Sequence, residues 1–222
     1  MTLERPETVQ SLSLSADGLA VPAREVRRLG RCGPQARWQP QIQAAIDELR
    51  TLARPQARWR WLRPVQLTGC FADPAPVQDI CAGRPCCAFV ATISQPTVAR
   101  IQAHMSHRRF LESVLLDAAA SAMVESLCDA VERHCVPDGQ STRFSPGYCG
   151  WTLRGQTQLF ELLEPAAMGV QLRESLLMDP LKTVSGVIVC GDPEALRVPA
   201  DACESCHAQA CKRRAPRRGS TG

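Results

Sequence analysis

The sequence predicts a single α+β domain, of irregular α/β type, in which helices pack on a mixed or antiparallel sheet. One amphipathic pattern is long enough for a helix over about residues 108–134, and several short apolar runs have the character of strands. Strands and helices do not alternate regularly, as they would in a parallel sheet. A chain of 222 residues also buries enough surface to fold without a disulfide framework.

Five elements are expected before the long helix. A helix over 21–30 has a proline near its start and a glycine as its stop. A helix over 41–52 follows a proline and keeps its apolar residues on one face. Alternating residues predict short strands at 59–61 and 65–67, parted by a proline, and the apolar run at 87–93 predicts a central strand.

The long helix is expected because leucine, valine, alanine and methionine recur at three- and four-residue intervals, which gives one buried face. Residues 137–150 are expected to form a loop. A short amphipathic helix at 156–163 and strands at 170–178 and 184–189 complete the predicted elements. The predicted division of the chain is a loose lead-in at 1–20, the domain at 21–198 and a cysteine-rich basic tail at 199–222.

Composition and charge narrow the classes of function. A chain with 45% hydrophobic and 22% charged residues is neither disordered nor a coiled coil. Residues 203–222 hold five of the 26 basic and one of the 22 acidic residues, which leaves 21 of each, so nucleic acid is not an expected partner of the body. The basic end is either a solvated tail or a contact for an acidic partner or RNA.

The hydropathy pattern excludes an integral membrane protein. No uninterrupted apolar run approaches the roughly 20 residues that a membrane span requires. The N-terminus lacks a basic segment followed by an apolar one, the pattern of a secretory signal. We therefore expect a cytoplasmic protein without a membrane partner.

The segment Arg143-Phe-Ser-Pro-Gly-Tyr148 is the most unusual local sequence. Pro146 fixes its own φ, and Gly147 permits backbone conformations that other residues avoid, which predicts a stiff, open loop presenting backbone N–H and C=O groups. Such a loop suits the edge of a nucleobase. Arg143 offers a planar fork for a carboxylate, and Tyr148 offers a ring. The alternative is an ordinary Pro-Gly turn with a surface arginine.

Glu125 is a candidate partner for a cation on the long helix. It lies three residues after Ala122 and seven after Ala118, on an otherwise apolar side, next to a stretch of small side chains that lets a backbone or a flat ligand come close. A carboxylate on a packed face is costly unless it is paired. It would then hold a bound ammonium or sulfonium group. The alternative places Glu125 at the solvated edge of that face.

Twelve cysteines in a reducing cytoplasm are expected to be buried thiols, metal ligands or redox groups. The tail pattern Cys203-x2-Cys206-x4-Cys211 has the close spacing of thiolates around one metal. With a fourth ligand, such as Cys190 or His207, it would suit tetrahedral zinc or an iron–sulfur cluster. Unligated thiols are the alternative.

Four further residues with metal-binding side chains are expected to be structural. Cys128 and Cys135 lie in the helical pattern and are predicted to fill the core. His104 and His107 have no nearby acid in a metal-binding pattern, so we expect them at the surface or as helix caps.

The stretch from residue 87 to residue 191 resembles the activation domain of vitamin B12-dependent methionine synthase, and most closely the short, free-standing members of that family. The matching pieces occur in the family's order, and Arg-Phe-Ser-Pro-Gly-Tyr is the most specific of them. They are Ala91-Thr-Ile93, Asp117-Ala-Ala-Ala-Ser-Ala-Met-Val-Glu125, Arg143-Phe-Ser-Pro-Gly-Tyr148, Glu174-Ser-Leu-Leu-Met178 and Val184-Ser-Gly186.

The resemblance implies binding of S-adenosylmethionine (AdoMet) and a role in the reductive reactivation, by remethylation, of a cobalamin-dependent methionine synthase or a related corrinoid methyltransferase. Glu125 would hold the methionine ammonium and Arg143 its carboxylate. The other residues at the ligand would be Pro146, Gly147, Tyr148, Ser185 and Gly186. None of these residues is expected to be catalytic in itself, because AdoMet is already an activated methyl donor.

The implied partners are a corrinoid-binding methyltransferase protein and an electron donor such as a flavodoxin or ferredoxin. The chain has no cobalamin-ligating Asp-x-His-x-x-Gly motif, so it would act in trans, with the cobalamin on its partner. Whether the chain is itself an enzyme of the methionine synthase system stays open. The alternative functions are a metal-binding redox or adaptor protein with no methyl-transfer role, and an interaction scaffold that has lost its ligand.

Overall fold

A five-stranded antiparallel sheet forms the centre of the computed structural model, which describes residues 7–33, 36–71, 76–137 and 139–198. Its order is β1-β2-β3-β7-β4, and β5 and β6 form a separate two-stranded ribbon. The α+β prediction with an antiparallel sheet is confirmed. The strands are β1 (Gln10–Ser13), β2 (Gln56–Leu62), β3 (Cys86–Thr92), β4 (Ser141–Phe144), β5 (Gln171–Leu172), β6 (Met178–Asp179) and β7 (Thr183–Cys190).

Helices cover both faces of the sheet, and the predicted long helix is the longest element. Among the described helices, none combines the length and the apolar character that crossing a bilayer takes. The helices are α1 (Ala23–Leu29), α2 (Gln39–Leu52), α3 (Pro64–Gly69), α4 (Pro76–Cys81), α5 (Gln95–Ser106), α6 (Phe110–Cys135) and α7 (Gly155–Leu163). Single 3-10 turns lie at Ala16–Gly18, Ala36–Trp38 and Pro165–Met168.

The central strand β3 is buried on both faces, as its continuous apolar run predicts. Successive side chains of a strand point to opposite faces, so β3 contributes to two separate cores. Cys87, Phe89 and Ala91 pack with α1, α2 and α6. Ala88 and Val90 pack with α3, α4 and α7 on the other face.

The small side chains of α6 allow close packing within the fold. Ala118, Ala119, Ala120 and Ala122 are all buried. Three helices, α1, α2 and α5, pack against α6, and β3 lies beneath it. The small side chains of this stretch were expected to let a backbone or a flat ligand come close, and it is these helices and β3 that come close to them.

The predicted strand at 65–67 is wrong, because this segment is the helix α3. Pro64 occupies the first helical turn, where its missing N–H costs nothing. The side chain of Gln66 accepts a hydrogen bond from the backbone N–H of Arg63 at 3.1 Å, which caps the helix. This local capping outweighs the alternation of apolar residues.

Three further differences concern short strands. The expected loop at 137–150 contains β4, and the expected lead-in contains β1. The alternating stretch at 170–178 yields only the short strands β5 and β6, joined by a turn in which Leu176 N–H donates to Arg173 C=O at 2.8 Å. The strands β1 and β4 pair with segments more than 40 residues away, which no local pattern encodes, whereas β5 and β6 pair with each other across a short turn.

The two helical histidines differ in their surroundings. His107 is exposed at the end of α5, with Nδ1 2.7 Å from the carbonyl oxygen of Ala103, as expected for a cap. The surface position predicted for His104 is wrong: its side chain is 2% exposed, and its Nε2 lies 3.0 Å from Oε2 of Glu48. The cause is α5, a helix without a clear sequence signal, which packs on α2.

Within the described ranges no cysteine forms a disulfide bond, and most of the cysteines are buried. Cys128 and Cys135 lie in the core, as predicted. The Sγ atoms of Cys87 and Cys135 are 3.6 Å apart, well beyond the length of a disulfide bond. Residues 203–211 lie outside the described part of the chain, so the tail metal site stays a prediction.

We predict that Cys70 makes the protein less stable in alkaline solution. Burial raises the pKa of Cys70 to about 12, so the folded chain keeps this proton at a pH where the unfolded chain loses it. The free energy of unfolding should fall as pH rises from about 9 towards 12, with a slope from this group of about 1.4 kcal/mol per pH unit. Urea unfolding at several pH values should show a shallower fall for Cys70→Ala, and equal slopes would contradict the assignment.

Candidate functional site

Arg143 extends from β4 towards α6, where three carboxylates surround its guanidinium. In the register of β4 and β7, Arg143 is opposite Ile188, which packs on the α6 side of the sheet. Its Nη2 lies 2.7 Å from Oδ1 of Asp129 and 3.5 Å from Oε2 of Glu125. Its Nε lies 3.3 Å from Oε2 of Glu132. The arginine side chain is only 15% exposed, so the cluster fixes its position.

The three acids share one side of α6 because they follow each other by four and three residues. Ser141 Oγ donates to Oε1 of Glu132 at 2.7 Å and holds the innermost acid in place. The side chains of Glu125 and Asp129 are 58% and 54% exposed. Glu125 therefore lies at the solvated edge of the helix rather than on its packed face, and the four-residue cluster has two more acids than bases.

Cys128 lies on the buried side of α6 next to this cluster, and burial raises the pKa of its thiol far above the usual range. The carboxylates of Glu125 and Asp129 raise this pKa further, while Arg143 opposes them. The thiol is therefore protonated at neutral pH. It adds neither charge nor a nucleophile to the cluster.

The segment after β4 forms a closed turn. Tyr148 N–H donates to Ser145 C=O at 3.2 Å, with Pro146 second and Gly147 third, where φ is +90°. This arrangement is typical of a type II turn. Gly147 N–H donates to Trp151 C=O at 2.6 Å. The N–H groups of Gly147 and Tyr148 are thus used inside the turn, which corrects the expectation that they are presented to a ligand.

Trp151 anchors this turn in the core on the α7 side of the sheet. It is 1% exposed, its Nε1 donates to the carbonyl oxygen of Cys70 at 2.9 Å, and its ring lies 5.0 Å from that of Phe71. Tyr148, three residues earlier, is 50% exposed. The anchor holds the turn while the tyrosine ring faces solvent and stays accessible.

Gly186 lies where the chain leaving β4 crosses β7. A Cβ built on Gly186 would overlap the carbonyl oxygen of Phe144 and lie 3.0 Å from Oγ of Ser145. Pairing with β4 ends at Val187, so within the described chain the outer edge of residues 183–186 has no strand beside it. This unpaired edge lies close to Arg143 and the turn, but Thr183, Ser185 and Gly186 are buried and Val184 is partly exposed.

Ser185 is the predicted site residue that the structure does not bring to the cluster. It alternates with Gly186 along β7 and is on the same face as Val187, which packs on the α7 side. Its side chain is 2% exposed, and its Oγ has no hydrogen-bond partner among the described residues. Only its backbone lies at the open edge.

A second charged contact lies further along α6. Lys182 Nζ is 2.8 Å from Oδ1 of Asp117 and donates to Oγ of Ser121 at 2.9 Å. Asp117, Ser121 and Glu125 are successive turns of one helical face. The contact ties the segment before β7 to α6 and closes the far end of the open edge.

Sequence reasoning missed Asp129, Glu132 and Lys182, although each had a signal. The two acids repeat the helical spacing from Glu125, at four and seven residues. Lys182 is the one lysine of residues 1–211, in a chain whose other bases there are arginines.

A metal centre is not assembled by the described residues, where no group of three histidine, cysteine or acidic side chains has the required arrangement. The candidate metal ligands Cys203, Cys206 and Cys211 lie outside the described ranges. Cys190, one candidate for the fourth ligand, lies at the end of β7 and is partly buried.

Comparison with known proteins identifies a structural relative. No family model and no curated protein matches the chain. Its fold is similar to that in the crystal structure of the MetH reactivation domain bound to AdoHcy, with a TM-score of 0.64 over 90% of this chain and 86% of that chain, at 16% sequence identity. The fold relationship implied by the motif resemblance is confirmed.

We predict that Gly186→Ala destabilises the fold. The added methyl group would meet the backbone of Phe144, which cannot move without separating β4 from β7. The free energy of unfolding should fall by about 1–3 kcal/mol. Gly18→Ala, where a Cβ has no neighbour within 4 Å, is the matched control and should change it by less than about 0.5 kcal/mol. Equal unfolding midpoints for both variants would contradict the crossing geometry.

Proposed function

We propose that this chain binds AdoMet between α6, the end of β4 and the open edge of β7, and serves in trans in the reductive reactivation of a corrinoid methyltransferase. The observation that carries the proposal is the 3.5 Å contact between Glu125 and Arg143. The resemblance implies that these two residues hold the two charged groups of the methionine moiety. The similarity in fold to a domain solved with AdoHcy supports it.

The methionine end of the ligand fits the chemistry of the cluster. A guanidinium can hold a carboxylate with two parallel hydrogen bonds. Glu125 makes the longest of the three contacts to Arg143, so it is the acid most easily released to a ligand ammonium. Asp129 and Glu132 keep the arginine in place during the exchange.

The adenosine end would lie at the turn and the open strand edge. The half-exposed ring of Tyr148 offers a surface on which a nucleobase can stack. Pro146 and Gly147 shape the turn next to it. The carbonyl oxygen of Phe144 covers the face of Gly186, so an adenosine would contact Gly186 and Ser185 through their backbone at the edge of β7.

The reaction requires the protein to orient AdoMet and does not require it to transfer a proton. AdoMet supplies an activated methyl group when bound, so the residues of the chain need to bind it and aim its sulfonium outward. The corrinoid would be held by the partner methyltransferase, and a flavodoxin or ferredoxin would be a suitable electron donor.

The proposal is tested by titrating the full chain with AdoMet in a calorimeter. Arg143→Gln should weaken binding by roughly 10–100-fold, because a charged hydrogen-bonding pair is lost. Arg109→Gln is the matched control, since Arg109 is 54% exposed and pairs with Glu112 at the other end of α6. This variant should bind AdoMet as the unaltered chain does.

If calorimetry detects no heat of binding at millimolar AdoMet, with or without a corrinoid partner, the proposal is wrong. Thermal unfolding of both variants shows whether each one is folded. Equal affinities for Arg143→Gln and Arg109→Gln would place the ligand elsewhere on the molecule.

The spacing of the tail cysteines favours a second candidate function, that of a metal-binding redox or adaptor protein. We predict that anaerobically purified protein contains either zinc or iron with acid-labile sulfide. Replacing Cys203, Cys206 and Cys211 with serine should abolish this content, while Cys32→Ser, in the partly buried α1–α2 connection, should not. A metal-free chain with full activity would exclude the metal role.

A further inference from the structure

Two arginines of β2, Arg58 and Arg60, have buried guanidinium nitrogens without acceptors in the described part of the protein. The Nε atoms of both side chains are buried and have no hydrogen-bond partner among the described residues. The side chain of Arg58 is 15% exposed, and Arg60 is also partly buried. A buried guanidinium without acceptors is costly, because it loses hydration and gains no partner in return. The pair is therefore suited to hold an anion.

Both arginines are on the α7 side of the sheet. Trp59, which lies between them in the strand, packs on the α6 side. In the register of β2 and β3, Arg58 is opposite Val90, which belongs to the core on the α7 side. Two residues along a strand span about 7 Å, a separation at which two long side chains can contact one ligand group. The sheet thus separates this pair from the cluster of Arg143.

Little negative charge lies close to this pair of arginines. The strands on either side of β2, which are β1 and β3, contain no acidic residue. The ion pair of Arg58 with Glu164 is long, with 3.9 Å between Nη2 and Oε2, and the side chain of Glu164 is 77% exposed. A contact of this length is not a hydrogen bond, and an exposed acid compensates for little of the buried charge. Ser11, opposite Arg58 on β1, is exposed and adds a hydroxyl donor on the same face.

We propose that Arg58 and Arg60 together bind the phosphate group of a small molecule, on the face of the sheet opposite the proposed AdoMet site. Two guanidiniums have two positive charges and match a phosphate dianion, whereas a single carboxylate would leave one charge unbalanced. The planar fork of arginine donates two parallel hydrogen bonds to phosphate oxygens. This site goes beyond the proposed function and does not depend on it.

A cavity of about 290 Å³ adjoins this face and gives room for the rest of a phosphorylated compound. Gln56, two residues before Arg58 on the same face of β2, and Ser13, its partner on β1, both line the cavity. Arg54 lines it as well and adds a positive charge. The volume lies at the lower end of the range for ligand pockets, which favours a compact compound such as a sugar phosphate.

The test measures thermal unfolding of the full chain in inorganic phosphate, in ribose 5-phosphate and in acetate, at equal ionic strength. A ligand that binds the folded chain raises the unfolding midpoint, so both phosphates should raise it more than acetate does. Arg60→Gln should weaken phosphate binding by roughly tenfold, because charge-assisted hydrogen bonds are lost. Arg28→Gln is the matched control, since Arg28 is 54% exposed, pairs with Glu25 at 2.6 Å and belongs to α1 on the other face of the sheet. This variant should respond to phosphate as the unaltered chain does.

Arg58→Gln separates a ligand-binding role from a structural one. In acetate it should be at least as stable as the unaltered chain, because a poorly compensated charge is removed, and in phosphate it should be less stable. An equal loss of stability in both solutions would overturn the inference. Equal responses to phosphate from Arg60→Gln and Arg28→Gln would overturn it too, since stabilisation would then be a general effect of the salt. Tighter binding of ribose 5-phosphate than of inorganic phosphate would support a sugar phosphate as the ligand, and equal affinities would support free phosphate.

Discussion

The ion-pair cluster of Arg143 is the interaction on which the geometry of the site depends. It links β4, at the edge of the sheet, to three successive positions on the longest helix. A lone guanidinium at 15% exposure would be costly, and three acids on one helix face would repel each other. The acids compensate for the burial of the arginine charge, and the arginine reduces the repulsion among the acids. The same atoms that hold the edge strand are those that we propose as contacts for the amino-acid end of AdoMet.

The open edge of β7 follows from the shortness of β4. Because the chain crosses β7 at Gly186, β4 pairs with only the second half of that strand. The Pro-Gly turn then leads the chain into the core through Trp151. The ligand site that we propose consequently combines side chains from a helix with backbone groups from a strand.

The elements with many local contacts could be predicted from the sequence, whereas the contacts between distant segments could not. The helical spacing of apolar residues in α6 and the continuous apolar run of β3 are local signals. They predict these two elements without knowledge of the rest of the fold. The strand β4 has four residues, and its pairing with β7 across more than 40 intervening residues leaves no local pattern. The sequence leaves two positions open for Glu125. Its spacing from two alanines favours the packed face, whereas its four-residue spacing to Asp129, another acid, indicates the solvated edge that the structure shows.

The unpaired half of β7 also bears on how the protein behaves at high concentration. An exposed strand edge is a template on which a second chain can add a strand. Here the unpaired segment is four residues long, three of its residues are buried, and the ion pair of Lys182 and Asp117 borders it at one end. At its other end, the crossing over Gly186 blocks continuation of the ladder. Both features, together with the burial of Thr183, Ser185 and Gly186, protect the molecule against edge-to-edge aggregation.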